Sequence, residues 1–118
     1  MRKGLAVAFV LLMVSFAAGC GGESGTTADT PSNLEATNYL GYVILDWDSS
    51  DNAESYIVYR STSSGDVSSK TIWASSLTAT AFMDISASSG TTYYYQVTAV
   101  DSDGDESAGS TEVGIAAE

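Results

Sequence analysis

One thiol, two lysines, no histidine and a run of carboxylates make up most of what this 118-residue chain offers for chemistry. Cys20 is the only cysteine. It follows an apolar run from Leu5 to Phe16 and the small residues Ala17, Ala18 and Gly19. A thiol in that place is a candidate for acylation. Forming a thioether would remove an unpaired thiol from an oxidising compartment, where exported proteins use cysteines in pairs. The absence of histidine removes the commonest general base and metal ligand. Asp46 and Asp48 stand two residues apart and so share one strand face, whereas glycoside hydrolysis needs two carboxyls facing each other across a cleft. Nothing around Lys70 marks it as desolvated. No catalytic residue is assigned, no cofactor is implied, and the residue types argue against an enzyme.

The densest acidic run is Asp101-Ser102-Asp103-Gly104-Asp105-Glu106. Carboxylates at alternate positions can converge hard oxygens on calcium, and counting Asp101 as position one puts Glu112 at position twelve. The glycine that such a loop needs at position six is Glu106 here. A solvated acidic turn fits these residues better than a metal site, and Asp101, Asp103 and Asp105 are kept as the calcium candidate. Exposed aromatics form the other candidate site. If Val43, Leu45 and Trp47 point inward, Tyr42 and Ile44 point outward, and the same parity turns Tyr59 and Tyr94 out. Trp73, in the run from Lys70 to Ala74, is placed with them. A patch of Tyr59, Trp73 and Tyr94 would bind a protein strand or stack against a glycan. Alternatively these are cross-strand pairs that stabilise a sheet.

The amino-terminal segment determines where such a site would work. Arg2 and Lys3, the apolar stretch and the small residues reproduce the order and length of a secretion signal. The apolar part is too short to span a hydrocarbon core, which needs about 20 residues. Ala17-Ala18-Gly19-Cys20 resembles the lipobox of bacterial lipoproteins, departing from it at Ala17, where Leu is usual. That resemblance implies cleavage before Cys20 and acylation of its sulfur and amino group. An ordinary signal-peptidase cut after Ala17 or Gly19 is the alternative. One acyl chain anchors only marginally and two or more hold firmly, a condition the multiply acylated lipoproteins meet. In families that sort on the residue after the cysteine, Gly21 would not signal inner-membrane retention. The expected location is therefore the cell envelope, in the outer membrane where the host has one.

With the leader gone, Arg60 and Lys70 face all fifteen acids, a mature net charge of −13. Such a surface repels nucleic acid and anionic headgroups, which leaves membrane attachment to the lipid on Cys20. An envelope protein or a glycan remains open as a partner. Three segments follow from composition: a signal peptide over 1–19, a Gly-, Ser- and Thr-rich flexible tether over 20–30, and a folded domain over 31–118. Fully stretched, the tether reaches about 35 Å at roughly 3.5 Å per residue.

From Ser32 onward the apolar period is two. Val43, Leu45 and Trp47 alternate with polar or outward positions, as do Tyr56 with Val58, Tyr93 with Tyr95, Val97 and Ala99, and Val113 with Ile115. Turn-forming stretches at 49–52, 61–66, 86–90 and 101–109 separate these runs. No stretch carries a helical face, so the expected fold is all-β, a sandwich of two antiparallel sheets with about seven strands. Pro31, Leu34 and Ala36, then Val43-x-Leu45-x-Trp47, Tyr56-x-Val58-Tyr59-Arg60, Phe82 with Asp84, and Gly90-Thr91-Thr92-Tyr93-x-Tyr95-x-Val97-x-Ala99 occur in the order of a fibronectin type III domain. The chain resembles that family from Pro31 to Ala116. The resemblance makes Trp47 a core residue and places Tyr93 at the tyrosine corner, where a buried ring bonds back to upstream backbone. It also puts Glu112 on the last strand, away from the acidic loop. Ser88-Ser89 stands where the family has Leu-x-Pro. The integrin-binding Arg-Gly-Asp of one family member reads Asp103-Gly104-Asp105 here, so that activity does not carry over.

Overall fold

Alternation of inward apolar and outward polar residues builds seven strands: β1 (Ser32–Tyr39), β2 (Tyr42–Asp48), β3 (Ser55–Ser61), β4 (Thr71–Leu77), β5 (Ala81–Asp84), β6 (Thr92–Val100) and β7 (Val113–Ala116). The computed structural model describes residues 27–118. The leader over 1–19, Cys20 and the start of the tether lie outside the described residues. One 3-10 turn at Val67–Ser69, capped by the Asp66 carboxylate, is the helical element among those described.

The strands form two antiparallel sheets, one in the order β1-β2-β5 and the other in the order β4-β3-β6-β7. The expected all-β sandwich is therefore observed. Val43, Leu45 and Trp47 from β2 meet Tyr56 and Val58 from β3 and Tyr93, Tyr95, Val97 and Ala99 from β6 in one core. Trp47 packs its edge against the Tyr56 ring, with centroids 5.5 Å apart at 66°, a favoured arrangement for aromatic quadrupoles. The Ser88 N–H donates to the Tyr93 hydroxyl at 2.8 Å, so the tyrosine corner forms although Ser88-Ser89 replaces Leu-x-Pro. Gly90, with φ +88°, supplies the left-handed turn there, and its N–H reaches the Ala117 carbonyl at 2.8 Å.

One boundary moves. The folded part begins before Pro31, because Ala28 is buried in the core and the Asp29 N–H donates to the Asp51 carbonyl at 3.0 Å. Composition treated both residues as tether. A single small apolar side chain and a backbone hydrogen bond leave little trace in composition.

Sheet geometry also sets the two poles. Pairing of β1 with β2 runs from Ser32↔Asp48, near the chain entry, to Tyr39↔Tyr42 at the hairpin. Eight residues at about 3.3 Å each separate these ends by roughly 25 Å. The Leu40-Gly41 turn therefore lies far from where the chain enters the domain.

Candidate functional site

Tyr59 and Tyr94 lie on the same outer face of the neighbouring strands β3 and β6, as expected, but Trp73 does not join them. Tyr59 does lie on the face of β3 opposite the core, but it is only 8% exposed. The loop after β6 folds over it: Val100 bridges to Glu106, whose carboxylate accepts from the Tyr59 hydroxyl and, at 2.7 Å, from Thr98 Oγ1. Burial, and then the bond to Glu106, push the Tyr59 phenol up to about 12. Tyr94 lies directly across from Gly114, and a Cβ on that glycine would come within 2.8 Å of the ring. Its ring thus covers the bare backbone of β7. Trp73 sits where the β3–β4 register slips between Val58↔Ala74 and Tyr59↔Ile72, a bulge that leaves it without a cross-strand partner. Its indole turns toward the other sheet, and Nε1 is 3.3 Å from Asp84 Oδ1. Nothing in the run from Lys70 to Ala74 signals this bulge, which is why Trp73 does not join the two tyrosines.

Trp73 instead belongs to a polar cluster between the sheets. Asp84, on β5, is buried and accepts five hydrogen bonds: from Arg60 Nη1 (2.8 Å), the Tyr95 hydroxyl (2.6 Å), Trp73 Nε1, and the Ser86 N–H and hydroxyl. Burial opposes the Asp84 charge, but the bonds from Tyr95, Ser86 and Arg60 outweigh it and hold the carboxyl below the ordinary range. Burial, then the bond to Asp84, drive the Tyr95 phenol well above its usual value. The Arg60 guanidinium is stacked over the Trp73 ring (3.4 Å to its centroid) and the Tyr93 ring (4.4 Å). A signal for this cluster is present in the sequence. Arg60 shares the inward parity of Val58, and Asp84 that of Phe82, so opposite charges occupy core-facing rows of different sheets.

Asp101, Asp103 and Asp105 do come together, with one carboxylate oxygen from each lying within 4.8 Å of the others. Their grouping follows from the turn itself. Asp101 Oδ1 accepts from the backbone N–H of Asp103 and of Asp105, each at 2.9 Å, so it is already an internal acceptor. Glu112 stands elsewhere. It accepts from Lys70 Nζ (2.6 Å), Ser64 Oγ (2.7 Å) and the Gly65 N–H (2.9 Å), and these bonds, that from Lys70 foremost, hold its carboxyl near 2. The Lys70 side chain is itself fully enclosed. Both cations among the described residues are thus held in internal ion pairs, Arg60 with Asp84 and Lys70 with Glu112.

A surface that was only half anticipated remains open. On the outer face of β1-β2-β5, Tyr39 pairs with Tyr42, and Ile44 pairs with Thr37 on one side and Met83 on the other. Tyr39, Tyr42 and Met83 are exposed, as is Ile85, which follows β5 on the parity of Met83. In the next row Glu35 stands opposite Asp46. The hairpin that ends this face is unusual. Leu40 and Gly41 have φ of +51° and +88°, the two left-handed positions of a turn that favours Asn-Gly. A leucine held left-handed costs roughly 1–2 kcal/mol, and this one is 79% exposed.

Known proteins resemble this chain over the same stretch. The profile described as "Fibronectin type III domain SaeA third domain" matches residues 31–116. Amylopullulanases of Thermoanaerobacterium saccharolyticum and Thermoanaerobacter thermohydrosulfuricus are each 41% identical, over 73% and 78% of this chain. The chain spans only 7% and 6% of those enzymes' length. A crystal structure of an Fn3-like protein from Clostridium thermocellum superposes with a TM-score of 0.67 at 33% identity, covering 78% of this chain and 92% of that one. A β-1,2-glucanase from Parabacteroides distasonis superposes at 0.65 with 25% identity, over 78% of this chain and 13% of the enzyme. With the strand order, the tyrosine corner and the core tryptophan in place, the chain belongs to the fibronectin type III family.

Proposed function

We propose that this chain is a non-catalytic envelope lipoprotein, anchored through lipid on Cys20, whose fibronectin type III domain binds or scaffolds a protein at the cell surface or in the periplasm. One observation carries the binding half: among the described residues both cations and the buried Asp84 are committed to ion pairs within the domain, while one sheet face keeps its apolar side chains exposed. Groups held as internal ion pairs are poor catalysts, whereas an open apolar face is what a binding module presents. The Arg2-to-Cys20 pattern supports the anchor. Because the chain enters the domain at the pole opposite the Leu40-Gly41 hairpin, anchoring at Cys20 would point that hairpin away from the membrane.

A test in the native cells has two readouts. Metabolic labelling with an alkyne fatty acid should mark the protein, and Cys20→Ser should abolish both the label and its sedimentation with membranes. Crosslinking should recover one protein in near-stoichiometric yield. An unlabelled wild-type chain would end the lipoprotein assignment, and recovery of abundant envelope proteins alone would end the scaffold assignment.

Carbohydrate binding is the second reading, and the relatives favour it: small segments of amylopullulanases and of a β-1,2-glucanase match this domain. Retardation of the protein in gels containing pullulan or β-1,2-glucan, lost on replacing Tyr39 and Tyr42, would favour it over protein binding.

A further inference from the structure

We infer that the segment 106–110 is a strap that closes over β6 in place of a strand, and that it opens by itself while the sandwich stays folded. Pairing of β7 with β6 runs only from Thr92↔Ala116 to Tyr95↔Val113, which leaves Gln96 to Val100 without that strand. There the strap takes over. The Ser110 and Ser107 N–H groups donate to the Val97 and Ala99 carbonyls at 2.9 and 2.7 Å. In an antiparallel ladder the return bonds would go to the two serine carbonyls. Here they go to the serine side chains, from the Val97 N–H to Ser110 Oγ at 3.0 Å and from the Ala99 N–H to Ser107 Oγ at 2.9 Å. Ala108 and Gly109 together stand against the single residue Thr98, the mismatch of a bulge.

Two observations separate the strap from the sandwich. It carries no large apolar side chain, and none of its residues belongs to the core cluster, so lifting it exposes little apolar surface. It also closes over Gln96, whose Nε2 donates to the Ser110 carbonyl at 2.6 Å while its Oε1 is buried with no partner. Opening admits solvent to that acceptor, and a buried unpaired polar group favours the open state. What fastens the strap is polar as well. The Glu106 carboxylate accepts from the Tyr59 and Thr98 hydroxyls at one end, and Ser110 holds the other. Release bares the Tyr59 ring together with the N–H and C=O groups of Val97 and Ala99, an open strand edge.

Residue-resolved hydrogen exchange in a urea series, on the full chain in non-ionic detergent, measures the opening. The Val97 and Ala99 amides should exchange through openings that urea barely promotes, because little surface is exposed. Ile57 and Thr98, opposite each other in the ladder of β3 and β6, should exchange only through unfolding that urea promotes strongly. Glu106→Ala, at an exposed position, should speed exchange at both Val97 and Ala99 by about tenfold or more, while Ile57 and Thr98 follow the change in global stability. Tyr59→Phe removes the same fastening from the sheet side, keeps the ring and should act alike. Val97 and Ala99 tracking Ile57 and Thr98 in urea would overturn the strap as an independent unit. Acceleration of Ala99 alone would overturn it too, because Val97 lies at the end held by Ser110 and responds only if the strap moves whole.

Discussion

Arg60 Nη1 meets Asp84 Oδ2 at 2.8 Å across the two sheets, with Asp84 almost wholly removed from solvent. The pair joins β3 to β5, strands that share no ladder. Removing one member of such a pair leaves a buried charge uncompensated, typically at a cost of 3–5 kcal/mol. Asp84→Ala should therefore lower unfolding stability by about 3–5 kcal/mol in urea, and Arg60→Met by a comparable amount. Combining Arg60→Met with Asp84→Leu should restore much of the loss, since apolar replacement of both partners removes the unpaired charge. A double variant as unstable as the two single losses added would show that the pair is not the source.

Trp47 contributes in a different way, through volume. It is buried against Tyr56 beneath β2. Trp47→Ala should cost about 3–5 kcal/mol, the range for large aromatic truncations. Total stability of a domain is typically 5–15 kcal/mol, so most of the soluble yield should be lost. A melting temperature within a few degrees of wild type would remove Trp47 from the core.

Particular residues show how far the sequence could be read. Val43, Leu45 and Trp47 alternate cleanly, and they placed β2 and the core because period two is dictated by the pleat itself. Trp73 follows no such alternation, since it is itself the residue inserted by a bulge between Ile72 and Ala74. Tyr59 kept its parity and was still covered, because the Glu106 loop returns over it from far along the chain. The same long-range closure hid the partnership of Glu112 with Lys70, which are separated by 42 residues. Leucine is not a turn former, so residue type gives no sign of the Leu40-Gly41 turn. Its left-handed φ is visible only in three dimensions.

Acid should loosen the contact between Lys70 and the segment leading into β7. The Glu112 carboxyl is held near 2 by Lys70, Gly65 and Ser64, against an ordinary value of 4.5. A depressed carboxyl contributes stability above its unfolded value, and that contribution disappears as pH falls through the folded one. The melting temperature should therefore fall between about pH 4.5 and about pH 2, and Glu112→Gln should flatten the fall. Because the carboxylate is partly open to solvent, added salt should weaken the effect at neutral pH. An unchanged acid profile in Glu112→Gln would place the sensitivity elsewhere, with Asp84 the next group to test.

The acidic loop can be separated from a calcium site by one pair of substitutions. Asp101 holds its turn by accepting from the N–H groups of Asp103 and Asp105. An asparagine keeps that acceptor oxygen and loses only the charge, whereas alanine loses both. If the carboxylate acts as a turn acceptor, Asp101→Asn should change stability by less than about 0.5 kcal/mol and Asp101→Ala should cost about 1–2 kcal/mol. Millimolar calcium should leave the wild-type melting temperature unchanged, because the twelfth-position glutamate is engaged by Lys70, Ser64 and Gly65. A calcium-dependent rise that Asp101→Asn abolishes would instead make Asp101, Asp103 and Asp105 ligands, stabilising the folded state by mass action.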